Sequence, residues 1–326
     1  MKEAVTVLCC LLLLACAAQP ALAIDTTWYP STAALGLDAR ALAMGGACLA
    51  VADRYSYPVN PAGLAFITDQ SVFIGRYTYP NIEYDPNPLS SAAWGGQQHL
   101  YLAYAHPDTG SGAYGFTAYQ NEYVFAWLAG TDRYHTYTAF QYGYGRLVLD
   151  NRLSLGINLR QVGVVDEALD NLNHFNAITT GDIGATLQIN KMLAFSILVT
   201  DVSSPRIVVW DEEIDGETVE HYYDVPTWIF FGGSVRLGDF LVAAVDLDYN
   251  VANVLDLFNV TRAGFELRPI PLFAVRGGLY HGQPTFGFGV KLGAKDGIQL
   301  ALDFAEFWPG VLDVSPKQCL QATIIF

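Results

Sequence analysis

From residue 71 to residue 326 the chain reads as one short strand after another, aromatic and β-branched side chains alternating with small or polar ones at a period of two. Within 152–160, Leu153, Leu155, Ile157 and Leu159 alternate with Arg152, Ser154, Gly156, Asn158 and Arg160. Within 239–250, Leu241, Ala243, Val245, Leu247 and Tyr249 share one face, and Val242, Ala244, Asp246, Asp248 and Asn250 the other. Within 284–293, Phe286, Phe288, Val290 and Leu292 alternate with Thr285, Gly287, Gly289 and Lys291. Such a pattern admits a soluble sandwich with one wet face per sheet, or a closed barrel with lipid outside and a polar lumen inside.

Composition separates the two. Of 326 residues 52% are hydrophobic and only 15% charged, against about 25% charged in an ordinary soluble domain. Outside the extreme N-terminus no run of about 18 apolar residues could cross a bilayer as a helix, which excludes a polytopic helical protein. Only helices and closed barrels satisfy every backbone polar group within hydrocarbon. A net charge of −15 with 17 Lys and Arg argues against nucleic acid as a partner. The fold class expected is all-β: a transmembrane antiparallel β-barrel of about fourteen strands over 71–326. Tight turns at 150–151, 190–191, 238–239, 269–271 and 294–296 alternate with longer connections at 79–98, 165–177, 204–225, 251–257 and 308–316, the short gap at 282–283 being the exception. Short periplasmic turns, longer outer loops and an even count fit such a barrel.

Lys2, the apolar stretch 5–18, Pro20 and the small-x-small triplet Ala21, Leu22, Ala23 have the regions of a secretory signal peptide. Residues 1–23 are therefore expected to be cleaved before Ile24, which places the exported chain in a bacterial cell outer membrane. A lipobox reading of Leu13 to Cys16 is weaker, because a bulky Leu stands two places before the cysteine. Cys9, Cys10 and Cys16 leave with the signal. Cys48 and Cys319 alone form no disulfide framework and no metal site, though a single bridge between them stays open. The last strand ends in Phe326, like the C-terminal signal read by the barrel-assembly machinery.

Catalytic and cofactor signatures are poor. The six histidines are scattered without an H-x-x-x-H pair, and Ser111 lacks the spacing of a nucleophile elbow. Gly143 and Gly145, like Gly287 and Gly289, lie on alternating strands with no helix after them and read as small lumen-facing residues. Asp211, Glu213, Asp215 and Gly216 imitate the first half of a calcium loop, but Tyr222 stands where a bidentate Glu belongs. Tyr101, Tyr104, Tyr119, Tyr123, Trp127, Tyr134, Tyr137 and Tyr142 are expected to form the interfacial girdle of the barrel. No enzyme, no cofactor and no metal site is expected.

Residues 24–70 do not alternate. Gly36, Ala39, Arg40, Met44, Gly45, Gly46, Ala47, Ala50, Ala52 and Asp53, followed by Asn60, Pro61, Ala62 and Gly63, resemble the opening motif of the PorV/PorQ outer-membrane family, within the FadL-type outer-membrane transporter superfamily. Arg262 to Glu266, Arg276 to Gly278 and Thr285 to Gly289 resemble that family's successive C-terminal strands. Tyr55 to Val59 departs from the usual approach to the Asn-Pro turn. The resemblance implies a fourteen-stranded barrel whose segment 24–70 folds back into the lumen as a hatch, with Arg40, Met44, Gly45, Gly46, Asp53, Asn60, Pro61 and Gly63 as its motif. The physics suits that role. Fourteen strands enclose more space than wall side chains fill, Gly45-Gly46 permits positive φ or close backbone approach, and Asn60-Pro61 starts a turn.

Two functions follow from the resemblance. One is FadL-like binding or transport of a hydrophobic small molecule. The other is a PorV-like, non-enzymatic part of a type IX secretion system that receives secreted cargo proteins on its outer loops.

Overall fold

The computed structural model describes residues 38–53, 56–57, 59–78, 94–96, 99–108, 110, 112–126, 132–167, 173–203, 206–214, 217–224, 227–250, 261–280, 282–293, 297–308 and 317–326. The proposed signal peptide, Ile24, and the Tyr55 and Pro58 side of the Asn-Pro approach lie outside them.

A helix α1 (Ala39–Ala43) and a 3-10 helix (Pro61–Phe66) precede β1 (Ser71–Thr78). There follow β2 (Trp94–Gly96), β3 (His99–Pro107), β4 (Gly112–Ala126), β5 (Asp132–Val148), β6 (Leu153–Glu167), β7 (Asn173–Gln188), β8 (Leu193–Thr200), β9 (Arg206–Ile214) and β10 (Glu217–Asp224). The chain continues through β11 (Trp228–Leu237), β12 (Leu241–Asn250), β13 (Thr261–Ile270), β14 (Phe273–Tyr280), β15 (Gln283–Gly293), β16 (Gln299–Phe307) and β17 (Lys317–Ile325). Each barrel strand pairs antiparallel with its neighbours, β1 closes on β17, and β4 pairs with both β3 and β5, so the sheet is a ring. Leaving out β2, which pairs only with β4, and the separate β9–β10 hairpin, the ring has fourteen strands.

The alternation decides which face is which. On β6, Leu155, Ile157 and Leu159 are exposed while Ser154, Asn158 and Arg160 are buried. On β15, Phe286 and Phe288 are exposed and Thr285 is buried, and on β12 Asp246 and Asp248 are buried while Leu247 is exposed. An outer belt of Leu, Ile and Phe around a charged interior inverts a water-soluble protein and is what a barrel in lipid presents. The turns at 149–152, 189–192, 238–240 and 271–272 are short and gather at one end of the ring.

The structure departs from the sequence reading in three respects. The connection 204–225 contains the hairpin of β9 and β10, and the connection 79–98 contains β2, both too short or too polar to announce themselves as wall strands. Asp211 and Glu213 of the calcium-loop imitation lie on strand β9, paired with Glu220 and Thr218 of β10, and not in an acidic loop, while Asp215 and Gly216 lie outside the described residues. Tyr101 and Tyr119 are buried in the lumen, not in a girdle, because they occupy inward-facing positions of β3 and β4; Tyr104 and Tyr142, at outward positions, are exposed. The side chains of Tyr123, Trp127, Tyr134 and Tyr137 lie outside the described set. The bridge between Cys48 and Cys319 that the sequence left open does not form; both residues are buried without a disulfide.

Candidate functional site: the filled lumen

The described residues 38–67 before β1 lie inside the ring and are held by the wall. Its path begins at Asp38, whose carboxylate caps α1 by accepting from Ala41 N at 2.6 Å. Ala39 N donates to Gln321 Oε1 on β17 (3.0 Å), and Thr285 on β15 donates to Ala43 O (3.1 Å). Burial pushes the Asp38 carboxyl up to about 7, since the charged form loses its water.

Arg40 is the central cation. Its Nε and Nη2 donate to the two oxygens of Glu266 on β13 (2.7 and 3.1 Å), and Nη1 donates to Asp53 (3.0 Å). Glu266 also accepts from Arg276 Nε (2.7 Å) and pairs with Arg268 (2.7 Å), while Arg276 Nη1 donates to Asp303 on β16 (2.6 Å). A charge ladder therefore runs from the segment across β13, β14 and β16. Its centre is buried, Arg40 being 1% and Glu266 0% exposed, while Asp53 and Arg268 stand at its margins. In such a place each ion depends on its partners, because desolvation has removed the alternative.

Beyond α1 the chain turns through Gly45 and Gly46, both at positive φ (66° and 76°). A Cβ on Gly45 would fall 2.5 Å from Leu279 O, so glycine is required there for space as well as for conformation. The wall reciprocates. Met44 O lies against the Cα of Gly264, and Gly45 N lies where a Cβ of Gly278 would be, at 2.5 Å. Cys48 N and Leu49 N then both donate to Asp246 Oδ2 on β12 (3.0 Å each), Ser234 donates to Ala50 O (2.7 Å), and Arg236 reaches Val51 O and Asp53.

The Asn-Pro-Ala-Gly element sits against the opposite wall. Asn60 Oδ1 accepts from Ala62 N (3.0 Å) and caps the 3-10 helix, with Pro61 in its first turn. Asn60 Nδ2 donates to Leu49 O (3.1 Å) and to Thr186 and Ser196 on β7 and β8, whose hydroxyls also bond each other. Pro61 packs on Gly156 and Gly145, and Gly63 is closed against Ser56. Tyr57 accepts from Thr117 on β4 (3.1 Å). The remaining space is apolar: Ala39, Leu42, Tyr57 and Leu64 pack with Phe73, Tyr101 and Ala103, and Met44, Leu49 and Val51 with Leu198, Phe230 and Val242.

Arg40, Met44, Gly45, Gly46, Asp53, Asn60, Pro61 and Gly63 are thus brought into one lumen, whereas Phe326 stands apart at the end of the ring, half-exposed, its N–H donating to Gln70 O (2.9 Å). The sequence placed Glu266 and Arg276 in the C-terminal strand resemblance and Asp246 on the acidic face of its strand, without pairing any of them with the plug, and did not single out Asp303. The available signal was charge on the inward-facing parity of strands whose other parity is Leu and Phe. Among the described residues no group of three or more His, Cys, Asp or Glu is placed to hold a metal.

Comparison with solved structures agrees with this geometry. The fold is that of the FadL-type channels. The CymD monoaromatic hydrocarbon channel superposes with a TM-score of 0.59 over 89% of this chain and 97% of that one, at 14% identity. The Ralstonia pickettii toluene transporter TbuX gives 0.57 at 13% identity, over 89% and 97%. A Pseudomonas aeruginosa FadL homologue gives 0.57 at 9%, over 89% and 98%. No family model and no curated protein matches the sequence.

Proposed function

We propose that the chain is a non-enzymatic outer-membrane channel that binds and passes hydrophobic small molecules, exported by cleavage before Ile24 and inserted through recognition of Phe326 by the barrel-assembly machinery. Residues 24–70 act as its plug. The observation that carries this reading is a closed fourteen-strand ring whose lumen is packed with apolar and paired polar groups of its own N-terminal segment, and not filled by an open water column. The hydrocarbon and toluene channels of the same fold support it.

The PorV/PorQ resemblance of the N-terminal motif supports the finer assignment to that family, but the cargo-receiving role has no such support from the fold comparisons. Growth and uptake separate the two. A deletion strain should take up medium-chain and aromatic hydrocarbons several-fold more slowly, with its surface proteome intact. Unchanged uptake with lost surface proteins overturns the channel reading.

A further inference from the structure

The ladder of β8 on β11 and the ladder of β9 on β10 belong to one long hairpin. Thr200 faces Trp228 at the outer end of the first, and Arg206 faces Asp224 at the start of the second, so 201–205 and 225–227 stand opposite each other between them. Regular pairing is broken there. Asp201 has a left-handed φ of 53°, and Pro205 and Pro226, one on each side of the hairpin, bring no N–H to a ladder. Below the break the base is fixed. Asp201 N donates to Asp182 Oδ1 (3.2 Å), Val202 N to Gly181 O (3.0 Å), Ser203 Oγ to Thr180 Oγ1 (3.1 Å) and Thr227 Oγ1 to Asp201 O (2.9 Å).

Beyond the break, β9 lies against β6 as well as β7. A strand continuing β8 along the edge of β7 would have β7 alone as its neighbour, since β6 would stand two strand spacings away, about 9.6 Å. β9 therefore crosses the face of the sheet, and the face is the inner one, because the tethers at its base reach Thr180 and Arg160, both inward and buried. What it crosses is apolar. Tyr119, Ala139, Val162 and Ile178 face one another in a row across β4, β5, β6 and β7, one row outward of Gln141, Arg160 and Thr180 in the polar cluster that Asn158 and Asp182 complete. The row lies farther out than the last β7–β8 pair, Ile183 with Val199, yet Tyr119, Ala139 and Val162 are only 4%, 0% and 1% exposed. The hairpin has the composition to cover it. Ile207, Val208, Val209 and Trp210 stand at the start of β9, with Tyr223 and Tyr222 facing Ile207 and Val208, whereas seven acids within 211–224 give the tip a preference for water.

We propose that the β9–β10 hairpin is a hinged lid on the outer mouth of the lumen, turning about 201–205 and 225–227, and that an entering apolar molecule meets the row Tyr119, Ala139, Val162 and Ile178 once the hairpin has swung off it. Closed, the apolar base of the hairpin keeps that row from water; open, a hydrocarbon takes its place, so the apolar surface is covered in both states. The inference rests on the channel reading and adds to it the control of entry.

The test uses the full exported chain in the outer membrane of the deletion strain, with Cys48→Ala and Cys319→Ala removing the native thiols and Val162→Cys placing one in the covered row. The reagent is the cationic, impermeant 2-(trimethylammonio)ethyl methanethiosulfonate, so that loss of the acidic tip would slow its approach. A chain with 206–224 replaced by Gly-Gly should react at position 162 about tenfold faster than the parent and take up octane about threefold faster. Pro205→Thr with Pro226→Thr restores an N–H on each side and lets the hairpin stand in line with β8 and β11. It should raise both rates at least twofold, and it serves if the shortened chain fails to migrate as a folded barrel. Equal reactivity in parent and folded variant overturns the proposal. Faster reaction with unchanged octane uptake also overturns it, the hairpin then covering the row without controlling entry, and leaves the channel reading standing. Octane uptake no higher with the parent chain than without it overturns the channel reading and the lid's role in entry together.

Discussion

Replacing Glu266 by Gln removes a buried carboxylate on which Arg40, Arg268 and Arg276 converge, leaving Arg40 with Asp53 and Arg276 with Asp303. Breaking a buried ion pair from one side costs about 3–5 kcal/mol. Glu266→Gln should therefore lower stability by about that much, read as the urea midpoint of the refolded protein in lipid vesicles. Asp38 gives a pH dependence of opposite sense to that of an ordinary paired carboxylate. Its folded pKa, near 7, lies above the ordinary value of 3.8. The protonated form is thus favoured by folding, and its contribution is fully present below about 3.8 and lost as pH rises through about 7. Asp38→Asn keeps a side chain able to cap α1 and should flatten this dependence, slowing amide exchange at 39–46 at pH 8 relative to the parent and changing little at pH 4. Of these two residues neither was legible as a partner in the sequence. Arg40 and Asp53 stood out through the N-terminal motif, but Glu266 lies more than two hundred positions away, and no local pattern records which inward-facing acid meets which plug cation.

At the scale of the strand, period two fixed almost everything. On β6 the step from Gly156 to Ile157 to Asn158 passes from plug contact to lipid to polar cluster. Ile157→Arg should accordingly destabilise the barrel by about 2–4 kcal/mol in bilayers, with the loss shrinking for positions nearer the ends of the strand. β13 and β14 offer the complementary test. Met44 and Gly45 lie directly against Gly264 and Gly278, so Gly264→Val should leave the ring assembled yet lift the α1 turn from the wall. The expected result is normal heat-modifiable migration together with faster proteolysis within 38–53; unchanged protease resistance would show that the plug accommodates the side chain. Strand parity also explains the misplaced tyrosines. Aromatic character suggested a girdle, but Tyr101 and Tyr119 occupy inward parity and fill the lumen, so position within the alternation outranks residue type. The β9–β10 hairpin carries no apolar alternation to announce it, residues 211–213 being three consecutive acids.

The ring is closed by β1 against β17, the first and last strands among the described residues. That contact has the longest sequence separation in the fold, and it must form before the barrel has no edge. With the plug in place the lumen holds two packed apolar clusters, and single-channel conductance in planar bilayers should be small. A chain lacking 24–70 but keeping residues 1–23 should conduct ions at a level several-fold or more above the intact protein, provided it still migrates as a folded barrel; equal conductance would mean that the segment does not seal the ring.

Alternation, a low charge fraction and the lack of a spanning helix determined by themselves that this chain makes a lipid-facing barrel, because backbone hydrogen bonding in hydrocarbon leaves a chain of strands no other closed solution. They also fixed the short turns and the parity of each wall residue, since both are local properties. Tertiary structure alone decided how the lumen is filled. Which wall carboxylate receives Arg40, which glycines admit the plug backbone, and how the β9–β10 hairpin comes to lie against β6 and β7 depend on ring closure and strand stagger, and these bring distant segments together through contacts that no local period encodes.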